Sequence, residues 1–421
     1  YVTLKPFIGN MPKKGMEQTY FYSHCAEQAK PYSYSNTAIT AQLSAIKTAL
    51  TATERCAVMQ FEFPKHKQPG VLIEASQAPD FDGWINIIPE KNEIVGWNSD
   101  RHSWKLGPPL PNFKGYFVIR FDEPFVNYGT WVNDSFIPHN TEQNGSACGG
   151  WVYFDSNCRK ATAKIGTSFI SIEQARENLD KEIGIQSFET TVQNTKQIWN
   201  QFLGRIELEG ASKREKHIFY SALYHSLLFP RQFDEYGRYY SAFDDTIHKG
   251  FSYNDYSLWD TYRAEHPLLI LVAPDHAGKM VQSLIQMYQE GGYMPKWPNP
   301  TYTGIMIGTH ADAVVADAVV KGIKGFDIEQ AFKACRKDAM VPSVGDSINR
   351  WADRALFNGI EARAGLSWYM KLGYVPVDKT NESVSNTLEE AYDDFCVAQV
   401  AKAAGHTEDY NHLMQRSKNY R

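Results

Sequence analysis

Met306-Ile307-Gly308-Thr309-His310-Ala311-Asp312-Ala313-Val314-Val315-Ala316-Asp317-Ala318-Val319-Val320 is the stretch on which the fold turns. From Ala311 to Val320 it is apolar on nearly every side of a helical wheel, and such a helix is buried all round. A buried helix among amphipathic ones fits the inner ring of a double-ringed helical barrel. The neighbouring periodicity agrees. A helix opens at Ser171, a capping serine followed by Glu173. More are predicted over 188–202, 212–229, 256–271, 276–290, 310–322, 327–338, 361–372, 385–404 and 408–418. In 212–229, Ile218, Phe219, Ala222, Leu223 and Leu227 share one face.

Before Ser171 the pattern changes to short runs of period two. Val58-Met59-Gln60-Phe61-Glu62-Phe63, Gly83-Trp84-Ile85-Asn86-Ile87-Ile88, Tyr116-Phe117-Val118-Ile119-Arg120-Phe121 and Trp151-Val152-Tyr153-Phe154 read as strands of an antiparallel sandwich. Leu106-Gly107-Pro108-Pro109-Leu110-Pro111 reads as a turn. The expected organisation is a β-sandwich domain over 1–170, linker helices over 171–204, and an (α/α)6 toroid domain over 205–421. A six-hairpin toroid takes about a dozen helices, and fewer are counted after Gly204, so the toroid is expected to be incomplete in this chain.

The totals narrow the function classes. A chain of 421 residues has ample core, and its net charge of -5 comes without any basic stripe, which argues against a nucleic-acid partner. No apolar run is long enough to span a membrane and no signal peptide is visible, although the chain starts at Tyr1 rather than methionine. The six cysteines form no CxxC pair and no zinc-spaced cluster. Cys148 and Cys158 flank a hairpin-like run and either pair or stay as buried thiols. Serine-hydrolase, phosphate-loop, zincin and EF-hand motifs are absent.

Ser257-Leu258-Trp259-Asp260-Thr261-Tyr262-Arg263-Ala264-Glu265-His266-Pro267 mixes rings, carboxylates and cations. That mix suits a sugar, whose pyranose face stacks on indole and whose hydroxyls seek charged partners. Asp260 and Arg263 are spaced to pair on a helix face. Asp260 is then either a helix-start aspartate with a local ion pair or an acceptor for sugar hydroxyls beside a Trp259 wall. His310 and Asp317 share a helical face, and Asp312 points elsewhere. His310 either bonds between helices or lines a polar cavity at the barrel mouth. Trp297 sits in Met294-Pro295-Lys296-Trp297-Pro298, a rigid loop that offers a stacking surface or a packing plug. Arg231 and Asp234 lie in the loop expected over 230–245. The run Glu389-Glu390-Ala391-Tyr392-Asp393-Asp394 defaults to a solvated face, although Glu389 and Asp393 point one way.

Together these segments resemble glycoside hydrolase family 92, the bacterial calcium-dependent exo-acting α-mannosidases. The resemblance rests on Phe229-Pro230-Arg231 with Asp234 and Gly237-Arg238-Tyr239, on Ser257–Arg263, and on His266-Pro267-Leu268. It continues in Gly291-Gly292-Tyr293-Met294-Pro295-Lys296-Trp297, Met306–Asp312, Asp317-Ala318, Thr387-Leu388-Glu389, Ala391-Tyr392-Asp393-Asp394 and Ala398-Gln399. Pro6-Phe7-Ile8-Gly9, Ser23-His24 and Leu50-Thr51-Ala52-Thr53-Glu54-Arg55 echo the family's sandwich.

The resemblance implies inverting hydrolysis of terminal α-mannose from glycans or manno-oligosaccharides, Ca2+ as cofactor, and a periplasmic or secreted location. It implies substrate-binding roles for Trp259, Asp260, Arg263, His310, Asp312, Arg231 and Trp297. The family's glutamate acid and aspartate base lie in motifs with no counterpart here, so both are expected beyond Arg421. The metal ligands stay unassigned. A Gly/Pro-rich segment that the family carries after Gly9 is missing, and 15–23 runs almost straight on. The competing readings are a truncated, non-catalytic glycan-binding fragment and another (α/α)6 glycosidase.

Overall fold

The computed structural model describes residues 2–10, 20–24, 30–40, 45–65, 67–76, 81–101, 105–348, 350–351 and 361–421. Cys25 and residues 15–19 lie outside the described residues. The chain forms two compact units, one of residues 1–100 with 113–204 and one of 101–112 with 205–421.

Two antiparallel sheets build the first unit. Among the described residues, one has five strands in the order Thr3–Ile8, Pro69–Glu74, Cys148–Tyr153, Asn127–Val132 and Ser135–Pro138. The other has nine, in the order Glu142–Ser146, Asp82–Ile88, Glu93–Asn98, Gly115–Phe121, Lys160–Ser168, Cys56–Glu62, Ala45–Ala52, Tyr34–Thr40 and Tyr20–His24. All four runs expected as strands are strands, because alternation places each on a core with two faces. Phe117, Ile119 and Phe121 point into the core shared with Val71 and Ile73 of the other sheet. Val118, between them, joins Val58 and Val95 on the opposite face.

Helix α1 (Ile172–Glu182) covers that outer face with Ala175, Leu179 and Ile183. Ser171 caps it by accepting from the Gln174 N–H. Gly166 allows the close approach, since a Cβ there would lie 2.3 Å from the Ala175 carbonyl oxygen. Glu93, buried on the sheet, pairs with Arg120 and with Arg176 of α1, each at 2.8 Å. Helix α2 (Phe188–Leu203) is tied to the sheet by the Thr195 hydroxyl, which donates to the Ala52 carbonyl at 2.9 Å. Residues 171–204, expected as linker helices, are therefore packed on the sandwich.

The second unit is helical: α3 (Lys213–Ser226), α4 (Leu258–Thr261), α5 (Glu265–Val272), α6 (Pro274–Gly291), α7 (Ala311–Val320), α8 (Ile328–Met340), α9 (Leu366–Leu372), α10 (Ser383–Ala404) and α11 (Thr407–Arg416). Its core gathers Leu284 and Ile285 of α6, Val314 and Val315 of α7, Ala334 of α8, Val397 and Val400 of α10 and Leu413 of α11. Helix α7 is buried from Ala311 through Ala316 and again at Ala318, as its all-round apolar sequence requires.

Sequence periodicity errs in three places. The helix expected over 256–271 is two helices, α4 and α5, because Ala264 leaves the helical range with φ -142° and ψ -47°. The one expected from Glu361 begins only at Leu366, after Gly365 at φ +79°. In α3 only Leu223 is buried, and Ile218 of the expected apolar face is exposed. The loop expected over 230–245 carries two short strands, Arg231–Gln232 and Arg238–Ser241. Cys148 and Cys158 are separate buried thiols, as are Cys56, Cys335 and Cys396. Among the described residues, no helix is long and apolar enough to cross a membrane.

Candidate functional site

The short helix α4 displays Trp259, half-buried, and Asp260, exposed. Asp260 and Arg263 do not pair as the spacing suggests. The Arg263 guanidinium donates to the Trp259 carbonyl at 2.9 Å and lies over two rings, 4.6 Å from the Trp259 centroid and 4.8 Å from that of Tyr262. α4 is a single turn, so the arginine folds back over its own carbonyl and rings. Asp260 is left facing outward. Glu265, opening α5, is pushed up to about 7 by burial and by the nearby Asp260 carboxylate.

Tyr262 carries this stack inward. Its ring lies parallel to the His310 imidazole, with centroids 4.2 Å apart and planes 16° apart. His310 is buried and precedes α7 rather than lying within it. Its Nδ1 is 3.1 Å from Asp393 Oδ1. Its Nε2 is 3.3 Å from Glu389 Oε2, within ion-pair range but off the line of a hydrogen bond. Burial would hold His310 down, but Asp393 and Glu389 outweigh it and raise the imidazole to about 9. Burial likewise opposes ionisation of Asp393, yet His310 and the Thr309 N–H at 2.7 Å keep it below the usual carboxylate range. Gly308, at φ +76°, is required here: a Cβ would sit 2.8 Å from His310 Nε2.

Behind His310 lies a wholly buried charge network. Arg363 NH1 donates to Asp394 Oδ1 at 2.6 Å, Nε to the Thr309 hydroxyl at 3.2 Å, and NH2 to Asp312 Oδ2 at 3.3 Å. Thr309 in turn donates to Asp312 Oδ2 at 2.7 Å. Asp394 also accepts from Arg416 Nε and NH2, both at 2.6 Å, and from the Tyr369 hydroxyl at 3.1 Å. Asp312 is thus not turned away from His310. The wheel that separated them treats both as helical, whereas His310 is a cap residue, and Thr309 and Asp393 join the two. Asp317, paired with His310 on that wheel, instead binds Lys321 at 2.7 Å on a partly exposed face. The acidic run on α10, solvated by default, places Glu390, Asp393 and Asp394 in the interior. Burial pushes Asp312, Asp338 and Glu390 upward although Arg363 opposes it in each. Neither oxygen of Asp338 or Glu390 has a hydrogen-bond partner.

The aromatic loop around Trp297 is pinned by Glu361. This buried carboxylate accepts the N–H groups of Lys296 at 2.6 Å, Thr303 at 2.7 Å and Gly304 at 2.6 Å. Trp297 is half-buried and its indole N–H has no partner. Arg231 pairs with Asp255 and packs over Phe229 and Phe233. Asn254, which faces Arg231 in a two-stranded sheet, donates to the Pro300 carbonyl at 2.8 Å and so ties the Arg231 hairpin to the Trp297 loop.

The predicted residues therefore fall into two sets: Trp259, Arg263, His310 and Asp312 on one chain of contacts with Asp260 at its open end, and Arg231 with Trp297. Sequence reasoning missed Tyr262, Glu361, Arg363, Asp338 and Arg416 as parts of this region. Arg363 and Glu361 precede α9 in a segment whose sequence reads as helix, so the local pattern points away from their roles. Among the described residues, no group of three or more histidines, cysteines or carboxylates is arranged to hold a metal ion, so no calcium ligand is assigned here.

Comparison with known proteins accounts for both units. The model of the glycosyl hydrolase family 92 N-terminal domain matches residues 1–168, and that of the family 92 catalytic domain matches 174–421. The family GH92 inverting mannosidase BT2199 of Bacteroides thetaiotaomicron VPI-5482 superposes with a TM-score of 0.89 at 33% identity, over 100% of this chain and 55% of its own. The family GH92 α-mannosidase BT3965 of Bacteroides thetaiotaomicron gives 0.84 at 27%, over 100% and 56%, and has also been solved in complex with mannoimidazole. A curated relative, an uncharacterized secreted glycosidase of Arthroderma benhamiae, is 25% identical over 89% of this chain and 47% of its own length. The chain thus spans about half the length of the relatives it matches. With both of its units matched by the two domain models of one family, the chain belongs to glycosyl hydrolase family 92.

Proposed function

We propose that this chain serves an exo-acting, inverting α-mannosidase that removes terminal α-linked mannose from glycans or manno-oligosaccharides. The observation that carries the reading is the α4 turn. It presents an outward carboxylate, Asp260, beside an indole, Trp259, whose guanidinium partner Arg263 is occupied by stacking rather than by Asp260. A free carboxylate accepts from vicinal hydroxyls, and an indole packs the apolar sugar face. The solved relatives are mannosidases, which supports the substrate class. Inversion needs an acid and a base about 6.5–9.5 Å apart with water between them. Neither role is assigned to a residue here. The acids Asp312, Asp338, Glu390, Asp393 and Asp394 of α7, α8 and α10 are buried.

Calcium and a secreted or periplasmic location are proposed on family resemblance, the latter supported by the curated relative described as secreted. The test is mannose release from α-linked mannobioses with and without a chelator. Release that stops on chelation and returns with calcium is the expected result. Sugar binding without release favours a glycan-binding fragment, and the absence of both sinks the mannoside reading.

A further inference from the structure

We propose that His310 is a positioning residue: clamped between Asp393 and Glu389 of α10, it holds the Trp259–Arg263 turn in register through the ring of Tyr262. Four observations meet at this point. Both imidazole nitrogens face carboxylate oxygens, Nδ1 at 3.1 Å and Nε2 at 3.3 Å. Nδ1 is within hydrogen-bond distance of Asp393 and Nε2 within ion-pair distance of Glu389, a setting that favours the cationic ring. The Tyr262 ring lies flat on that cation at 4.2 Å, where the negative face of an aromatic ring is attracted to charge. Arg263 lies over both the Tyr262 and Trp259 rings, at 4.8 and 4.6 Å.

The result is a ladder from a buried carboxylate through imidazolium, phenol and guanidinium to an indole at the surface. Helix α4 has one turn and no side-chain cap of its own. Such a turn is too short to be stable by itself, so its register depends on this ladder. The charged and titratable groups facing His310 come from every packed element. They are Asp393, Glu389 and Tyr392 from α10, and Tyr262 from the end of α4, with Arg263 one ring further on over Tyr262. Asp312 and Arg363 are one hydrogen bond removed, through Thr309. The two carboxylates dominate, which matches an imidazole raised to about 9.

The part of the proposal that concerns sugar contact rests on the mannoside reading, whereas the positioning does not. The test is an NMR titration of the full chain carrying 13C at histidine Cε1 and 15N at tryptophan Nε1. His310→Gln and Trp259→Phe assign the two resonances. The Trp259 indole signal is expected to move with the His310 midpoint, near 9. Glu389→Gln lowers both midpoints together by about one pH unit. Tyr262→Leu leaves His310 titrating and uncouples Trp259, and Tyr262→Phe, which keeps the ring, restores the coupling. A Trp259 signal that is flat through the His310 titration overturns the proposal. So does one that still follows it in Tyr262→Leu, or a His310 midpoint at or below the ordinary histidine value. No sugar is present, so these outcomes are separate from the mannose-release assay.

Discussion

Asp338→Asn is expected to stabilise the protein at neutral pH, against the usual direction for a buried charged residue. Asp338 of α8 is fully buried, and neither carboxyl oxygen has a hydrogen-bond partner. Burial, then the neighbouring Asp312, push its carboxyl well above the ordinary range, with Arg363 opposing. Among the described residues, five carboxyls of this interior (Asp312, Asp338, Glu390, Asp393 and Asp394) face three cations, His310, Arg363 and Arg416. Arg416 pairs with Asp394, Arg363 is shared between Asp394 and Asp312, and Asp393 takes the imidazole. Asp338 and Glu390 are left to be neutral. Keeping the carboxyl protonated against an unfolded value near 3.9 costs about 1.4 kcal/mol for each pH unit between that value and the folded one.

The unfolded chain loses this proton near pH 4 while the folded chain keeps it. The contribution of Asp338 is therefore fully present below pH 4 and is lost at about 1.4 kcal/mol per pH unit as pH rises toward the folded value. Asparagine removes the titration but keeps a buried polar group without partners, a cost of about 1–3 kcal/mol that the protonated acid already bears in part. The net expectation is a gain at neutral pH that grows by about 1.4 kcal/mol for each pH unit over which the folded carboxyl stays protonated, less the remaining cost of the buried amide, and that vanishes near pH 4. Urea unfolding of wild type and Asp338→Asn at several pH values between 4 and 8 reads both the gain and the loss of slope. A variant several kcal/mol less stable at pH 7, with the wild-type slope retained, would refute the reasoning. It would mean that Asp338 is ionised in the folded protein and compensated.

Three further outcomes follow from the same structure. His266, stacked on Tyr256 and held down to about 4 by burial, contributes stability that is present above pH 6.5 and lost as pH falls toward 4, about 3 kcal/mol in all. His266→Gln should flatten acid unfolding between those values, and an unchanged acid limb refutes this. Arg363→Met leaves Asp312 without its cation and Asp394 with only Arg416, and should cost about 3–5 kcal/mol in thermal or urea unfolding. A loss under 1 kcal/mol would mean that the network is not a unit. Asp260→Ala, on an exposed turn, should leave the unfolding midpoint in place and lower kcat/KM on α-mannosides by about 10–100-fold. Equal kinetics would remove Asp260 from the sugar.

The fold was legible where burial follows a local period. Phe117, Val118 and Ile119 alternate because each faces one of two packed surfaces, and α7 is apolar all round because helices enclose it. Helix ends were readable where the cap is local, as at Ser171. The errors share one physical origin: the deciding partner is distant in sequence. Helix 256–271 breaks where Arg263 stacks on Trp259 and Tyr262, and the wheel records residue type rather than stacking. Glu361 sits outside any helix because its carboxylate takes N–H groups from 57 to 65 residues upstream. The acidic run on α10 looks like a solvated face until Arg363 and His310 are placed against it.

One local signal did survive, and it explains why charge can be buried here. Glu389 and Asp393 are four apart on α10 and meet the same imidazole, 83 residues upstream of Asp393. Asp394 is one position on, a step of about 100° around the helix, and meets Arg363 and Arg416 instead. Adjacent acids on α10 therefore neutralise cations from different segments. Asp393 fastens α7 through Thr309 and His310. Asp394 fastens the 363 loop and the end of α11. A helix that carried only one of these acids would secure only one of the two. The doubled acid at 393–394 is thus what lets α10 act as the common post of the helical unit. It is also the reason that the turn bearing Trp259 and Asp260, which leans on His310, inherits its placement from a helix more than 120 residues downstream.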